Sequence, residues 1–177
     1  MNKIINTLSI RGRVTYLIMC FETYVTAKYP ERNWAPVSDR MWKICDDSDY
    51  IDNSAYRYME IVPEYLYEFD NYKDAEFDYL TEDEYKQFIS IIPSGSQDPD
   101  LEIIMHSIYN IAMECAYGSA IKYLPNTIPY IEAAEKCMKK ASLPLPDLSR
   151  LAHLTDPEHQ WGEQFDGRYL SIILKGK

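Results

Sequence analysis

Apolar residues recur at three- and four-residue spacing along most of this chain, the period of helices buried on one face. The first such run predicts a helix from Ser9 to Tyr29, with Ile10, Val14, Leu17, Ile18, Phe21, Tyr24 and Val25 on one side and Pro30 closing it. A second helix is expected from Ser38, its N-cap, turning Met41, Trp42 and Cys45 inward. Asp46 to Asn53 reads as a polar connection. Ser54 can then cap a helix through Ala55, Tyr58, Met59 and Val62, and Pro63 either kinks it or begins the next piece, which holds Tyr65, Leu66 and Phe69. Residues 71–80 follow neither the helical nor the strand period.

Thr81-Glu82-Asp83-Glu84 is a capping-box signature for a helix through Tyr85, Phe88, Ile89 and Ile92 that stops at Pro93. Pro93 to Asp98 is a surface loop, too short to favour a domain linker. The longest helix is expected from Asp98 to Leu124, near the centre of the fold, with Glu102, His106, Asn110 and Glu114 as its one polar stripe. Another spans Asn126 to Ala141, with Pro129 in its first turn and Lys136, Lys139 and Lys140 toward its negative end. After the extended Leu143-Pro144-Leu145-Pro146 comes a short helix through Leu148, Leu151 and Leu154. Trp161, Phe165, Tyr169 and Ile173, spaced by four, predict a last helix beginning at Asp156-Pro157; a strand over 168–174 is the alternative. The expected fold is all-α: one domain, a bundle of six to eight helices around a central long helix, with residues 1–93 acidic and 98–177 near neutral.

Composition sharpens this outline. A chain of 177 residues with 46% hydrophobic and 14% aromatic content is expected to hold a packed core with rings left over for the surface. No apolar run reaches the roughly 18 residues of a membrane span, and the first residues do not read as a signal peptide. Four separated cysteines (Cys20, Cys45, Cys115, Cys137), without a CxxC, read as buried thiols of a soluble cytoplasmic protein.

The charge is confined to one place. Asp46 to Tyr85 carries 14 of the 28 acidic residues against only Arg57 and Lys73, a net −12 within a whole-chain charge of −10, and 8 of the 16 tyrosines. A solvated face usually mixes signs, and like charges four apart on a helix cost a few tenths of a kcal/mol each. Glu60, Glu64 and Glu68 share a face if a helix continues through Pro63; Asp70, Asp74 and Asp78 repeat that spacing. Tyrosine brings contact area and a hydroxyl at low entropic cost, while surrounding carboxylates steer a basic partner. The expected partner-binding residues are therefore Glu64, Tyr65, Tyr67, Glu68, Asp70, Tyr72, Asp74 and Asp78. Tyr65, Tyr67 and Tyr72 are expected to be exposed while Leu66 and Phe69 serve the core.

Other chemistry is poorly represented. There is no GxSxG elbow, no glycine-rich phosphate loop and no Glu-x-x-His pair of the di-iron type. No enzymatic activity, cofactor or metal is expected, nor direct nucleic-acid binding by so acidic a chain. The alternatives are a helical adaptor or regulatory domain, and a helical enzyme whose site uses scattered residues such as Glu102, His106 and Glu114.

The layout is similar to that of the all-helical immunity proteins of bacterial polymorphic-toxin and contact-dependent growth inhibition systems. The resemblance covers most of the chain. It rests on the amphipathic opening helix (Arg13-Val14-Thr15-Tyr16-Leu17-Ile18-Met19-Cys20-Phe21-Glu22) ending in Tyr29-Pro30, the acidic middle, and the aromatic closing segment around Trp161-Gly162-Glu163. It implies a small cytoplasmic inhibitor that binds a cognate toxin with a basic surface, often a nuclease, and occludes its site.

Overall fold

The computed structural model describes residues 3–46, 51–114, 124–157 and 161–175. Among them are eight α-helices and no strand, an all-α bundle as the apolar period predicts. The helices are α1 (Lys3–Thr7), α2 (Ile10–Lys28), α3 (Ala35–Asp46), α4 (Ile51–Met59), α5 (Pro63–Leu66), α6 (Glu82–Ile91), α7 (Pro99–Glu114) and α8 (Ile128–Lys140). Short 3₁₀ turns cover Leu124–Thr127, Leu148–Leu151 and Gly167–Tyr169. No described helix is long and apolar enough to cross a membrane.

Local chemistry explains most boundaries. The Ser9 hydroxyl accepts from the Gly12 N–H at 3.1 Å and starts α2. Val62 precedes Pro63, whose missing N–H costs nothing at the first position of α5. Thr81 and Glu84 form a reciprocal capping box on α6. Asp98 accepts from the Leu101 N–H at 3.1 Å at the head of α7.

The bundle is built around α2, enclosed on nearly every side from Gly12 to Glu22 and flanked by α3, α7 and α8. The centre is thus shared: α7 packs along α2 as its partner and leaves one stripe outward. The part of the expected long helix beyond Glu114, with Cys115 and Ser119, lies outside the described residues. Cys20, Cys45 and Cys137 are buried free thiols; burial pushes Cys45 and Cys137 up to about 11.

Because α2 is enclosed, its polar side chains must be satisfied internally. Arg13, 2% exposed, donates to the Leu124 carbonyl and the Thr127 hydroxyl, each at 2.6 Å. Tyr16 donates to Glu135 of α8 at 2.9 Å. Glu22, 1% exposed, accepts on Oε1 from the Ser38 hydroxyl, from Trp42 Nε1 at 2.8 Å and from the Ser171 hydroxyl at 2.6 Å. Its Oε2 accepts from the Ile172 N–H at 2.7 Å. Tyr24 and Tyr29 donate to Asp98 at 2.9 and 2.7 Å, with Lys28 at 3.5 Å from it.

Two expectations are corrected here. Ser38 is not the N-cap of α3: the helix begins at Ala35, and the Ser38 hydroxyl is spent on Glu22. The closing segment is neither the expected helix nor the alternative strand. In a helix the Trp161 carbonyl would accept from the Phe165 N–H; here that carbonyl accepts from the Arg11 N–H at 3.0 Å, and Phe165 donates to the Cys45 carbonyl at 3.1 Å. Gly162 has a left-handed φ of +83°, and a side chain at Gly167 would collide with the Trp42 ring. Tertiary hydrogen bonds override the four-residue spacing. The expected short helix after the proline connector is present as a 3₁₀ turn over Leu148–Leu151.

Replacing Glu22 by Gln sets an NH₂ against one of the donors, Ile172 N–H or the group of three on the other oxygen. Glu22→Gln is expected to cost about 2–3 kcal/mol, seen as a lower urea midpoint at unchanged slope.

Asp98 gives the fold an acid limit. Burial alone would raise its pKa, but hydrogen bonds from Tyr29, the Leu101 N–H and Tyr24, with the Lys28 charge, hold it below the usual carboxylate range. A depressed folded pKa contributes stability that is complete above the unfolded value near 3.9 and is lost as pH falls through the folded value. Asp98→Asn is therefore expected to lower stability at neutral pH and to flatten the fall in melting temperature below about pH 4, checked by thermal melts across that range.

Candidate functional site

The acidic segment divides at Pro63. Glu60 closes the turn after α4 and is 5% exposed, so it does not share a face with Glu64 and Glu68. Its Oε1 accepts from the Asp78 and Tyr79 N–H groups at 2.7 and 3.1 Å. Burial raises its pKa, against the opposing pull of those N–H groups and of Arg40. Glu60 is thus an anchor beneath the segment, not part of the surface.

Above that anchor, residues 67–80 run as successive turns. Tyr67, 38% exposed, donates to the Ile92 carbonyl at 2.6 Å and ties the start of the segment to the end of α6. Tyr72 donates to the Leu80 carbonyl at 2.8 Å, and its ring stacks on Phe77 at 5.9 Å and leans on Tyr85 at 5.8 Å. The loop therefore has its own small aromatic core, which rests on α6.

The acids point outward. Glu64, Glu68, Asp70, Asp74, Glu76 and Asp78 are all exposed. Asp74 accepts from the Asn71 amide, and Glu64 Oε2 lies 3.1 Å from His106 Nδ1 of α7. Among the described residues no lysine or arginine pairs with any of the six.

The aromatic members are placed differently from the expectation. Tyr65 and Tyr72 are half-buried, while Phe69 is 42% exposed and does not serve the core. Tyr72 turns inward onto Phe77 and Tyr85 with its hydroxyl on the Leu80 carbonyl, and Tyr65 packs on His106 and Tyr109 of α7. Tyr79, 39% exposed under the Arg57 guanidinium at 5.2 Å, also joins the surface. So do Ile103, His106 and Tyr109 on the outer stripe of α7. Their signal was the polar stripe Glu102-His106-Asn110-Glu114, which marks the outward side of that helix. Glu114 on it accepts from Asn126 at 2.9 Å, and Glu102 lies over Gly95.

A groove of about 560 Å³ lies between the head of α2 and the closing segment, lined by Ser9, His153, Thr155, Glu163, Phe165 and Tyr169 among others. It shares no lining residue with the acidic face. Its Ser9 hydroxyl is spent on the Gly12 N–H and the Leu154 carbonyl, and its His153 sits 3.0 Å from the Tyr169 hydroxyl. His159 lies outside the described residues. Among those described, no three metal-ligating side chains converge.

The chain is, then, an all-α bundle that displays a turn-rich acidic and aromatic loop braced by α4, the turn after it and α6. Comparison with protein-family models, curated proteins and solved structures returned no match.

Removing the anchor tests the geometry of this face. Glu60→Ala is expected to speed hydrogen exchange of the Asp78 and Tyr79 amides by about 10- to 100-fold, with protection of the α2 amides unchanged. Mass-spectrometric or NMR exchange provides the measurement.

Proposed function

We propose that this protein is a stoichiometric inhibitor that binds a basic protein partner through the 64–79 face, in the manner of an immunity protein neutralising a toxin in the cytoplasm. The observation that carries this reading is the display of six exposed carboxylates, none paired with a lysine or arginine among the described residues, beside the exposed rings of Tyr67, Phe69 and Tyr79. Elsewhere the same chain pairs several of its acids at i,i+4 spacing, as in Asp39–Lys43 at 2.9 Å, Glu82–Lys86 at 2.7 Å and Glu135–Lys139 at 3.1 Å. Charge left unpaired on one braced face fits a partner that supplies the cations.

A nuclease is the favoured partner class. Its site attracts phosphate with clustered Lys and Arg, and carboxylates can occupy the same positions. Glu64, Glu68, Asp70, Asp74 and Asp78 would meet those cations, while Tyr67 and Phe69 exclude water between them. Tyr72 contributes by holding the loop in shape, and Tyr65 sits on α5 over the α7 stripe beside Glu64. Catalysis by this chain forms no part of the reading.

The test is to recover the partner from the native host at low salt, release it at high salt, and titrate its activity with the purified protein. A basic enzyme inhibited at a 1:1 ratio supports the proposal; a partner that binds without loss of activity favours an adaptor instead. The triple charge reversal E68K/D70K/D74K is expected to weaken binding by at least about 100-fold at low salt and to abolish protection of cells co-expressing the toxin. Its far-ultraviolet circular dichroism is expected to be unchanged. Full protection by that variant overturns the assignment of the face.

A further inference from the structure

The outer stripe of α7 carries Ile103, His106, Tyr109 and Met113 at three- and four-residue spacing, and α5 lies across its middle. The Tyr65 ring meets His106 edge-on at 6.3 Å and Tyr109 at 6.0 Å, and His106 lies 6.1 Å from Tyr109. Burial, together with the neighbouring Glu64 and Glu68 carboxylates, raises the Tyr65 hydroxyl above its ordinary pKa. Ile103, one turn earlier, is 40% exposed. The result is an aromatic shelf with carboxylates on its rim, continuous with the acidic loop through Glu68.

The chain builds the same triplet of ring, carboxylate and cation at three other places, and there it completes it. Arg32 lies over Tyr29 at 4.5 Å and 3.6 Å from Glu31. Arg40 lies over Phe88 at 5.0 Å and 2.9 Å from Glu84. Lys28 lies over Tyr24 at 5.1 Å and 3.5 Å from Asp98. At the shelf the rings and carboxylates are present. Among the described residues no lysine or arginine pairs with Glu64 or Glu68 or stacks on Tyr65.

We propose that this shelf is a subsite for an arginine side chain of the basic partner, with the guanidinium stacked on Tyr65 beside His106 and hydrogen-bonded to Glu68. The inference rests on the reading of the 64–79 face as a docking surface for a basic protein, and names the side chain that surface selects. Charge complementarity argues for a cation, and the rings decide which one. A guanidinium is planar, weakly hydrated and able to stack while its edge donates to a carboxylate; an ammonium is a hydrated point charge that gains little from a ring beside it.

Fluorescein-labelled nona-arginine and nona-lysine peptides carry the same charge and separate the two effects. By fluorescence anisotropy at low salt, nona-arginine is expected to bind about fivefold or more tightly than nona-lysine. The His106 ring-proton resonances are expected to shift with the arginine peptide and not with the lysine peptide. Tyr65→Leu is expected to bring the ratio to about one with lysine-peptide affinity unchanged, while Tyr65→Phe, which keeps the ring, retains the preference. Equal binding of the two peptides to the unaltered protein, or an arginine preference that Tyr65→Leu leaves intact, overturns the subsite while leaving the basic-partner reading standing. Binding of neither peptide overturns both.

Discussion

A carboxylate withdrawn from water has to be met by donors, and this bundle is arranged around three such groups among its described residues: Glu22, Glu60 and Asp98, each 5% exposed or less. Leaving any of them unsatisfied would cost several kcal/mol, a large part of a typical domain's net stability. Each is met mainly by hydroxyl, indole or backbone N–H groups, and the donors come from segments remote in sequence. Glu22 gathers α3 and the end of the chain onto α2. Asp98 fastens the end of α2 to the start of α7. Glu60 holds the acidic loop to the turn after α4. Apolar burial supplies most of the driving force, as it does in any bundle, but these carboxylates fix which non-helical segment lies where.

This arrangement explains why the local signals in the sequence were legible and the tertiary ones were not. Ser9, Pro63, the Thr81–Glu84 box, Pro93 and Pro129 act within one turn of their own position, so their consequences follow from neighbouring residues alone. The all-α class and nearly every helix were readable on that basis. Ser38 looks like a cap and is a donor to Glu22; Trp161 and Phe165 have helical spacing, but their backbone groups pair with Arg11 and Cys45 instead. The two glycines that would weaken a helix there are what the true path requires, one for its φ and one for the Trp42 ring. Nothing within a few residues of these positions announces their distant partners.

The acidic face was half legible for the same reason. That residues 71–80 lack a period was readable, and its cause is a loop held by Glu60, Tyr67 and Tyr72. Which rings turn inward was not, because it depends on the Phe77 and Tyr85 rings and the Leu80 carbonyl, which come together only in the closed loop. Tyr72 packs on Phe77 and Tyr85 and goes in; Phe69 stays out. Glu60 carries the same charge as Glu64 and Glu68, yet backbone N–H groups make it structural while its neighbours stay in water.

Exposed like charges repel one another, at a cost of a few tenths of a kcal/mol for each neighbouring pair. The fold tolerates the sum because its stability resides elsewhere, in α2 and what surrounds it. The brace beneath the loop then has a second effect. A flexible acidic segment would relax by moving its charges apart and would have to be ordered again on binding, at an entropic cost for every residue fixed. Held by Glu60, Tyr67, Tyr72 and the α7 stripe, the carboxylates keep their spacing before any cation arrives. In the proposed complex, the cations of a basic partner would relieve like-charge repulsion on a face that needs no further ordering.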